Sequence, residues 1–289
     1  ILQEKMNLCY KAYDSKLGTK NGLVIVNSLF KYDQNEIINY IGPNGENAQY
    51  NCEDTTSSNI YNSYISAFQT TGIHHFTWEF YHQNPSDIIG EIQSYESYLY
   101  AVSTFKGKID FSFVYPSTDY KTSTCKNGNT VCSDGNYSYD LAITKVSFAQ
   151  YVGTKVISST NDIIYKNFIM DKYGNIYIVG TFEGTVTFQT FDAENITRIS
   201  EGAKDIFVLK LDKNLSFKWV QTIGGYNDDT PTKCVLDEEG KNIYISGHFK
   251  SPTIQFYSDY FYDEFMNADY LDDLIDIDSD IFLWKLLNY

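Results

Sequence analysis

The amino-acid sequence predicts an all-β protein built from tandem antiparallel units. Aromatic residues make up 17% of the 289 residues, with 26 Tyr and 19 Phe, and aromatic and β-branched residues favour pleated, half-buried strands. Short apolar runs bounded by Gly, Asn and Asp recur along the chain, and no long window shows helical periodicity. The pattern is clearest between Asn175 and Gly225.

That stretch contains the material of a four-stranded antiparallel unit. It opens with NIYIVGTF, continues with a short run that ends at Phe188, and then has an apolar run that begins at Asp205. A Phe-x-Trp-Val run, Phe217 to Val220, follows before a glycine pair. Because one such sheet cannot bury both of its faces, neighbouring units are expected to pack face to face.

Equivalent positions after the second strand of each unit carry small or short side chains. They are Asn27, Ser103, Gly180 and Gly247. Their spacing of roughly 70 residues exceeds the ~40–50 residues of ordinary propeller blades, because a long insert precedes the third strand of each unit. Strand-only units of four strands favour a β-propeller, with all the inserts on one face. Gly180 and Gly247 are predicted to allow a close backbone approach or a bulge.

The strands can be placed in chain order. In unit one they are Cys9–Asp14, Leu23–Asn27, Ser63–Phe68 and His75–Phe80. In unit two, Ile88–Ile92, Leu99–Ser103 and Lys108–Phe113 come before the strands that begin at Asp140 and end at Val152. Unit three adds Tyr165–Asp171, and unit four contains Thr253–Phe256. We therefore predict a single propeller domain, residues 1–289, with four blades at approximately 6–80, 86–152, 163–221 and 230–289.

The last unit lacks a Phe-x-Trp-like fourth strand, because the sequence closes on DIFLWKLLNY. Residues 1–8, ILQEKMNL, precede the first unit and have no local partner element. We expect these residues to complete the last blade, either in the same molecule or in a neighbouring subunit. The second arrangement is β-augmentation, which would produce a fibre.

Two consecutive units carry a recognisable motif. The pattern D-x-x-G-N-I-Y-I-x-G-x-F, then G-T-V-T-F and D-I-F-V-L-K-L-D-x-N-L-S-F-K-W-V, occupies Asp171 to Asp229 and restarts at Asp237. It resembles the SBBP-type β-propeller repeat family. The resemblance implies an extracellular or cell-surface propeller module and transfers no catalytic residues. The family name refers to seven blades, whereas four are counted here, so a compact four-bladed disc and a piece of a larger ring both stay open.

Charge and composition restrict the partners. The net charge of −15 argues against nucleic acid as a partner. No apolar run approaches the ~18–20 residues of a membrane span, so no such span is predicted.

Cysteines and glycosylation sequons favour secretion. Cys125 and Cys132 flank an Asn-Gly turn and are predicted to form a disulfide, whereas the pairing of the other cysteines, Cys9, Cys52 and Cys234, stays open. Asn-x-Ser/Thr sequons at Asn136, Asn195 and Asn214 lie in predicted surface connections and are candidate glycosylation sites.

One acidic segment could bind a metal. Asp276, Asp278 and Asp280 alternate like the first ligands of a Ca²⁺ loop, but the sixth position is Ile281 instead of Gly. A solvated acidic insert is the alternative interpretation. No other cofactor is predicted.

The leading functional hypothesis is a non-enzymatic, extracellular structural or adhesive propeller, with self-assembly into a filament or surface layer by strand complementation. Its partners would be itself or other extracellular proteins and glycans. The alternative is a secreted propeller that binds glycans or Ca²⁺. A propeller glycosidase or lyase ranks third, because no hydrolase elbow, metalloprotease, phosphate-loop or dinucleotide motif occurs.

Overall fold

Antiparallel strands form the secondary structure of the chain, as the composition predicts, with one 3₁₀ turn at Lys126–Gly128 among the described residues. The computed structural model describes residues 14–20, 23–31, 37–41, 47–51, 61–69, 74–82, 88–112, 119–128, 132, 135–147, 151–189, 195–257, 262–266 and 280–287, with the backbone alone before residue 91 and at 110, 128, 256, 257, 262–266 and 287. Two compact units are present: Ile1–Thr122 with Thr144–Thr154, and Ser123–Ile143 with Lys155–Tyr289.

The first sheet has four strands in the order β1-β2-β5-β6, and a separate hairpin, β3-β4, lies between its second and third strands in the sequence. Of the predicted strand Cys9–Asp14, Cys9 to Tyr13 lie outside the described residues, and the first described strand begins at Asp14. The strands are β1 (Asp14–Lys20), β2 (Leu23–Lys31), β3 (Ile37–Ile41), β4 (Asn47–Asn51), β5 (Tyr61–Gln69) and β6 (His74–His82).

The second sheet repeats this arrangement, with the order β12-β11-β8-β7 and a hairpin, β9-β10, between its second and third strands in the sequence. Its strands are β7 (Ile88–Tyr95), β8 (Tyr98–Phe105), β9 (Lys108–Asp110), β10 (Tyr120–Thr122), β11 (Asp140–Ser147) and β12 (Tyr151–Ile157).

The third sheet corrects one prediction about the strands. Its order is β13-β14-β17-β18-β21-β22. The TVTF run was expected to be a strand of the four-stranded unit, but it pairs with β16 in a separate hairpin, and β13 takes the place in the sheet. The strands are β13 (Ile163–Met170), β14 (Ile176–Phe182), β15 (Thr185–Gln189), β16 (Asn195–Ile199), β17 (Asp205–Leu211) and β18 (Phe217–Gly224).

The fourth sheet has three strands, in the order β19-β20-β23. β23 pairs with β20 from Asp280 to Leu287. The hairpin β21-β22 pairs instead with β18 of the third sheet. Residues 1–8, the predicted completing strand, lie outside the described residues. The strands are β19 (Asp229–Leu236), β20 (Asn242–Phe249), β21 (Thr253–Tyr257), β22 (Tyr262–Met266) and β23 (Asp280–Leu287).

Both of the predicted glycines lie opposite a β-bulge and beneath an aromatic ring. A register shift in β13 adjoins the partner of Gly180, and a shift in β19 adjoins the partner of Gly247. A Cβ on Gly180 would lie 2.2 Å from the carbonyl oxygen of Ile164 and 2.7 Å from the Phe207 ring. A Cβ on Gly247 would lie 2.5 Å from the Phe282 ring. Glycine is therefore required by close approach at both positions.

Aspartate side chains hold the hairpin turns. Asp171 accepts hydrogen bonds from the backbone N–H of Tyr173 at 2.8 Å and of Asn175 at 2.9 Å, and from the Tyr177 hydroxyl at 2.9 Å. Asp237 occupies the corresponding turn between β19 and β20 and accepts the Lys241 N–H at 2.7 Å. These Asx turns supply partners for backbone groups that leave the strand ladder.

One hydrophobic core lies between the third and fourth sheets. It joins side chains of β14 and β17, such as Val179 and Val208, to Ile245 of β20 and Trp284 of β23. The central strands β14 and β17 are buried at every residue, whereas β20 alternates between buried and half-buried residues. The third sheet is therefore covered on both faces and the fourth sheet mainly on one.

Candidate functional site

Two loops with the same hydrogen-bonding pattern join one sheet to the next. Residues 158–162 lead from β12 into β13, and residues 225–228 lead from β18 into β19. In the first loop, Asp162 Oδ1 accepts the backbone N–H of Tyr139 at 2.9 Å. The N–H of Ile163 then donates to the carbonyl oxygen of Tyr139 at 2.9 Å.

The second loop makes the corresponding contacts. Asp228 Oδ1 accepts the backbone N–H of Lys204 at 3.3 Å, and the N–H of Asp229 donates to the carbonyl oxygen of Lys204 at 2.8 Å. Tyr139 and Lys204 each precede the aspartate that begins the third strand of a sheet. The loops thus tie the third strand of one sheet to the first strand of the following sheet.

The aspartate that follows in each case is buried. Asp140, at the start of β11, accepts the N–H of Thr124 at 2.9 Å and its Oγ1 hydroxyl at 3.0 Å. The N–H of Ser159 donates to the other carboxylate oxygen at 3.4 Å. Burial raises the pKa of Asp140, and these hydrogen bonds oppose the rise because they favour the ionised form.

Asp205, at the start of β17, is held less completely. Its side chain is 2% exposed, Oδ2 accepts the N–H of Glu201 at 3.0 Å, and the buried Oδ1 has no hydrogen-bond partner within the described part of the chain. Burial is the largest cause that raises the pKa of Asp205 to about 7, and the charge of Asp229 adds to it. A Cβ on Gly224 would lie 2.0 Å from this carboxylate, which explains the glycine there.

Asp229, at the start of β19, is a third buried aspartate. Its carboxylate accepts the Ser251 hydroxyl at 2.9 Å and the backbone N–H of Lys250 at 3.2 Å. Burial raises the pKa of Asp229 to about 6 despite these bonds. The junction between the third and fourth sheets therefore holds two buried carboxyl groups that change protonation near neutral pH.

The predicted metal ligands are only partly visible. Asp280 begins β23 and pairs with Phe249 in the backbone register, while Asp276 and Asp278 lie outside the described residues. In the part of the chain that the structure describes, no group of three His, Cys, Asp or Glu side chains is placed to hold a metal ion. The Ca²⁺ site stays a prediction.

The cysteine prediction is confirmed at one pair. Cys125 and Cys132 form a disulfide with a Cα–Cα distance of 5.1 Å. Asn127 between them has a φ of 59°, a left-handed conformation that Asn tolerates. Cys234 is a buried free thiol that donates to Asn167 Oδ1 at 3.0 Å. Cys9 and Cys52 lie outside the described residues.

The three sequon asparagines are accessible. Asn136, Asn195 and Asn214 are all exposed. Asn195 begins β16 in a two-stranded hairpin, and its sequon partner Thr197 is also exposed. The hydroxyl of Ser138, the partner of Asn136, is instead buried and donates to the carbonyl oxygen of Thr124 at 2.8 Å. An asparagine must be exposed to carry an oligosaccharide, and these three meet that condition. Glycosylation at these asparagines stays a prediction.

Lysine–aromatic contacts recur in the second and third sheets and were missed by the sequence reasoning. The ammonium of Lys145 lies 4.1 Å from the ring centroid of Tyr98 and 5.5 Å from that of Tyr100. In the third sheet, Lys210 lies 5.6 Å from Tyr177 and 5.9 Å from Trp219. Both lysines are 7% exposed. Their charges are therefore placed against ring faces by cation–π attraction.

The fourth sheet has the same contact with one ring. Tyr244 pairs with Lys285 as Tyr177 pairs with Lys210, and the Lys285 ammonium lies 5.8 Å from the Tyr244 centroid. Lys285 is exposed. The sequence signal was available, because a lysine stands five residues after the strand-opening aspartate in each case, but its aromatic partners come from other strands.

Exposed apolar side chains lie beside this lysine. Ile281 is 85% exposed and Leu283 is 73% exposed, although Ile206 and Val208 at the same register in β17 are fully buried. We call Ile281, Leu283 and Lys285 the β23 surface.

Comparison with protein-family models and with curated proteins found no match for this chain. No helix among the described residues is long and apolar enough to cross a membrane.

Proposed function

We propose that this chain is an extracellular structural or adhesive module, a β-propeller that associates with further copies through its fourth sheet. The observation that carries the proposal is the β23 surface. Ile281 and Leu283 are exposed on the outermost described strand, whereas the corresponding residues of the third sheet are buried against the fourth.

The contact between the third and fourth sheets supports the choice of occupant. Ile206 and Val208 are covered by side chains of the following sheet, such as Cys234 and Ile245. A face of the same chemistry is therefore best covered by another sheet of the same kind. Burying a side chain such as Ile or Leu contributes about 1.5–3 kcal/mol, which makes an uncovered pair a strong driving force for association.

Two observations independent of the β23 surface support an extracellular, structural role. The disulfide between Cys125 and Cys132 is a bond that persists in oxidising compartments. The buried carboxylates Asp140, Asp205 and Asp229 all accept hydrogen bonds from backbone or side-chain donors of the sheet junctions. They are thus engaged in holding loops, which favours a structural role over a catalytic one.

A charge on the β23 surface tests the proposal. The double variant Ile281→Asp/Leu283→Asp should abolish the concentration-dependent association expected of the wild type in sedimentation velocity, together with filaments or layers in electron micrographs. Ile199→Asp is the matched control, because Ile199 is 68% exposed on the β15-β16 hairpin. It should associate like the wild type.

One outcome would contradict the association. Wild-type particles that stay monodisperse at every concentration would remove it. If the double variant were then also less stable than the control, the surface would be covered within one molecule, and a closed propeller would stand without self-assembly.

A further inference from the structure

We propose that the Cys125–Cys132 disulfide is a redox switch that holds the first junction loop, residues 158–162, in place, and that reduction by a dithiol releases this loop locally. The proposal goes beyond the proposed function, because it concerns regulation of the fold and does not depend on association of the chain. It rests on the contacts that the residues beside Cys125 make, and on a comparison with the second junction loop, residues 225–228.

The disulfide fixes a short segment of backbone. Cys125 forms an isolated antiparallel bridge with Tyr137, and the N–H of Lys126 donates to the carbonyl oxygen of Asn136 at 3.1 Å. The bond to Cys132 closes a loop over a sequence separation of seven residues. A closed loop restricts the conformations of the residues within it, so the disulfide favours the position that Lys126 and the residue after it occupy.

Two contacts connect this segment to the first junction loop. The Lys126 ammonium lies 3.4 Å from Asp162 Oδ2, and the N–H of Asn127 donates to Asn161 Oδ1 at 3.4 Å. Both distances are long, and the side chains of the ion pair are 36% and 18% exposed, so each contact is weak by itself. The two contacts therefore depend on a segment that is already held in position.

Asp162 connects these contacts to the residue that precedes β11. Its Oδ2 faces Lys126, while its Oδ1 accepts the backbone N–H of Tyr139 at 2.9 Å. The N–H of Ile163 in turn donates to the carbonyl oxygen of Tyr139 at 2.9 Å. One carboxylate thus bridges the disulfide segment and the junction. When Lys126 moves away, the orientation of Asp162 is less restricted, and the hydrogen bonds at Tyr139 and Ile163 should open more often.

Thr124 limits the release to the residues that follow it. The buried Asp140 Oδ2 accepts the backbone N–H of Thr124 at 2.9 Å and its Oγ1 hydroxyl at 3.0 Å. Breaking these bonds would leave a buried carboxylate without these donors, which is costly, and neither bond involves a cysteine. Reduction therefore leaves Thr124 attached at the start of β11 and frees the residues beyond Cys125.

The second junction loop has the same pattern and is held by other groups. The N–H of Asp229 donates to the carbonyl oxygen of Lys204 at 2.8 Å. Asn227 donates from its backbone N–H to Ser251 Oγ at 2.9 Å and from its side-chain amide to the carbonyl oxygen of Lys250 at 3.0 Å. Within the described part of the chain, these partners include no disulfide cysteine. The second loop is therefore an internal control in the same molecule.

The reduction is a thiol–disulfide exchange. Cys132 is half-buried, whereas Cys125 is 7% exposed, so a thiolate of the dithiol attacks the sulfur of Cys132 and expels Cys125 as the thiolate. The second thiol of the reductant then attacks the mixed disulfide, releases Cys132 and closes the reductant's own disulfide. Two electrons pass to the protein: both cysteines become thiols by taking the two protons that the dithiol loses, and the dithiol is oxidised.

The experiment measures amide hydrogen exchange in the isotope-labelled full chain by NMR, before and after reduction with dithiothreitol. The reporters are the amides of Tyr139 and Ile163 at the first junction loop and of Asp229 at the second. We expect reduction to accelerate exchange at Tyr139 and Ile163 by about tenfold or more relative to any acceleration at Asp229. This ratio removes the general loss of stability that reduction also causes, because that loss acts on all three amides.

Two lysine variants of the oxidised protein test the contact through which the disulfide acts. Lys126→Met removes the ion pair to Asp162 and should accelerate exchange at Tyr139 by about threefold or more. Lys250→Met is the matched control, because Lys250 is exposed beside the second loop and holds that loop through its backbone carbonyl. It should change exchange at Asp229 by less than about twofold.

The other outcomes overturn the proposal. Equal acceleration of all three amides on reduction would show general destabilisation, and no acceleration at Tyr139 and Ile163 would show that the disulfide does not hold the loop. Unchanged exchange in Lys126→Met would remove the contact on which the proposal rests. None of these results bears on association, so the sedimentation test of the proposed function stands or fails separately.

Discussion

Replacing Asp205 with asparagine should stabilise the protein at neutral and alkaline pH. The carboxyl group is 2% exposed, and its Oδ1 has no hydrogen-bond partner within the described part of the chain. An Asn side chain keeps an oxygen that can accept the Glu201 N–H, now 3.0 Å from Oδ2. It also removes a buried charge, which is costly when it is incompletely hydrogen-bonded.

The magnitude follows from the pKa of this group. Burial raises the pKa of Asp205 from 3.8 to about 7 in the folded protein. Because the folded pKa is raised, the stabilising contribution of the protonated group is complete below about pH 4 and is lost as the pH rises through 7. Between about pH 5 and 8 the free energy of unfolding of the wild type should fall by roughly 2–3 kcal/mol because this group ionises. Asp229, with a folded pKa of about 6, adds a loss of the same sign.

The assay is urea unfolding of the wild type and Asp205→Asn at several values between about pH 5 and 8. The free energy of unfolding of the variant should exceed that of the wild type by a margin that grows by roughly 2–3 kcal/mol from the acidic to the alkaline end. Asp140→Asn is the matched comparison, because Asp140 begins β11 as Asp205 begins β17 but accepts bonds at both oxygens. In Asp140→Asn the amide NH₂ would face a hydrogen-bond donor, so we expect the free energy of unfolding to fall by about 1–3 kcal/mol. A wild-type-like pH slope in Asp205→Asn would refute the reasoning.

Three further perturbations test the architecture. Gly180→Ala should lower the free energy of unfolding by about 1–3 kcal/mol, because its Cβ would meet backbone atoms, whereas Gly153→Ala, with nothing within 4 Å, should be neutral in the same denaturation assay. Asp171→Ala should cost about 2–4 kcal/mol, because it leaves the Tyr173 and Tyr177 donors of the β13-β14 turn unpaired; a neutral result would contradict this. Reduction of the Cys125–Cys132 disulfide, which spans seven residues, should destabilise by ~2 kcal/mol and lower the melting temperature, and an unchanged melting temperature would count against it.

Much of the strand pattern could be predicted from the sequence. Alternating apolar residues and Gly/Asn turns located segments such as Ile176–Phe182 and Asp205–Leu211, because periodicity and turn chemistry are local properties. The special role of Gly180 was also predictable, since a small residue in a strand interior indicates a bulge or close approach. The Cys125–Cys132 pair followed from its short, turn-rich spacing.

Strand partners could not be predicted in the same way. The TVTF run has the period of a strand, but periodicity does not say whether it joins the main sheet or a hairpin, and the structure pairs Thr185–Gln189 with Asn195–Ile199. The buried state of Asp205 was missed for a related reason. Asp229, whose charge raises the pKa of Asp205, is 24 residues away in the sequence, and the position of Asp205 beside it depends on strand pairing.

The proposed association would couple to folding through the fourth sheet. One face of the third sheet is covered by the fourth sheet, as at Val208, whereas Ile281 and Leu283 are exposed. Whatever covers Ile281 and Leu283 therefore binds the folded state alone, because the β23 surface exists only once β23 has paired with β20. If the proposed association occurs, the partner would stabilise the fourth sheet by mass action, and the β23 surface would then also determine the stability of the last strand.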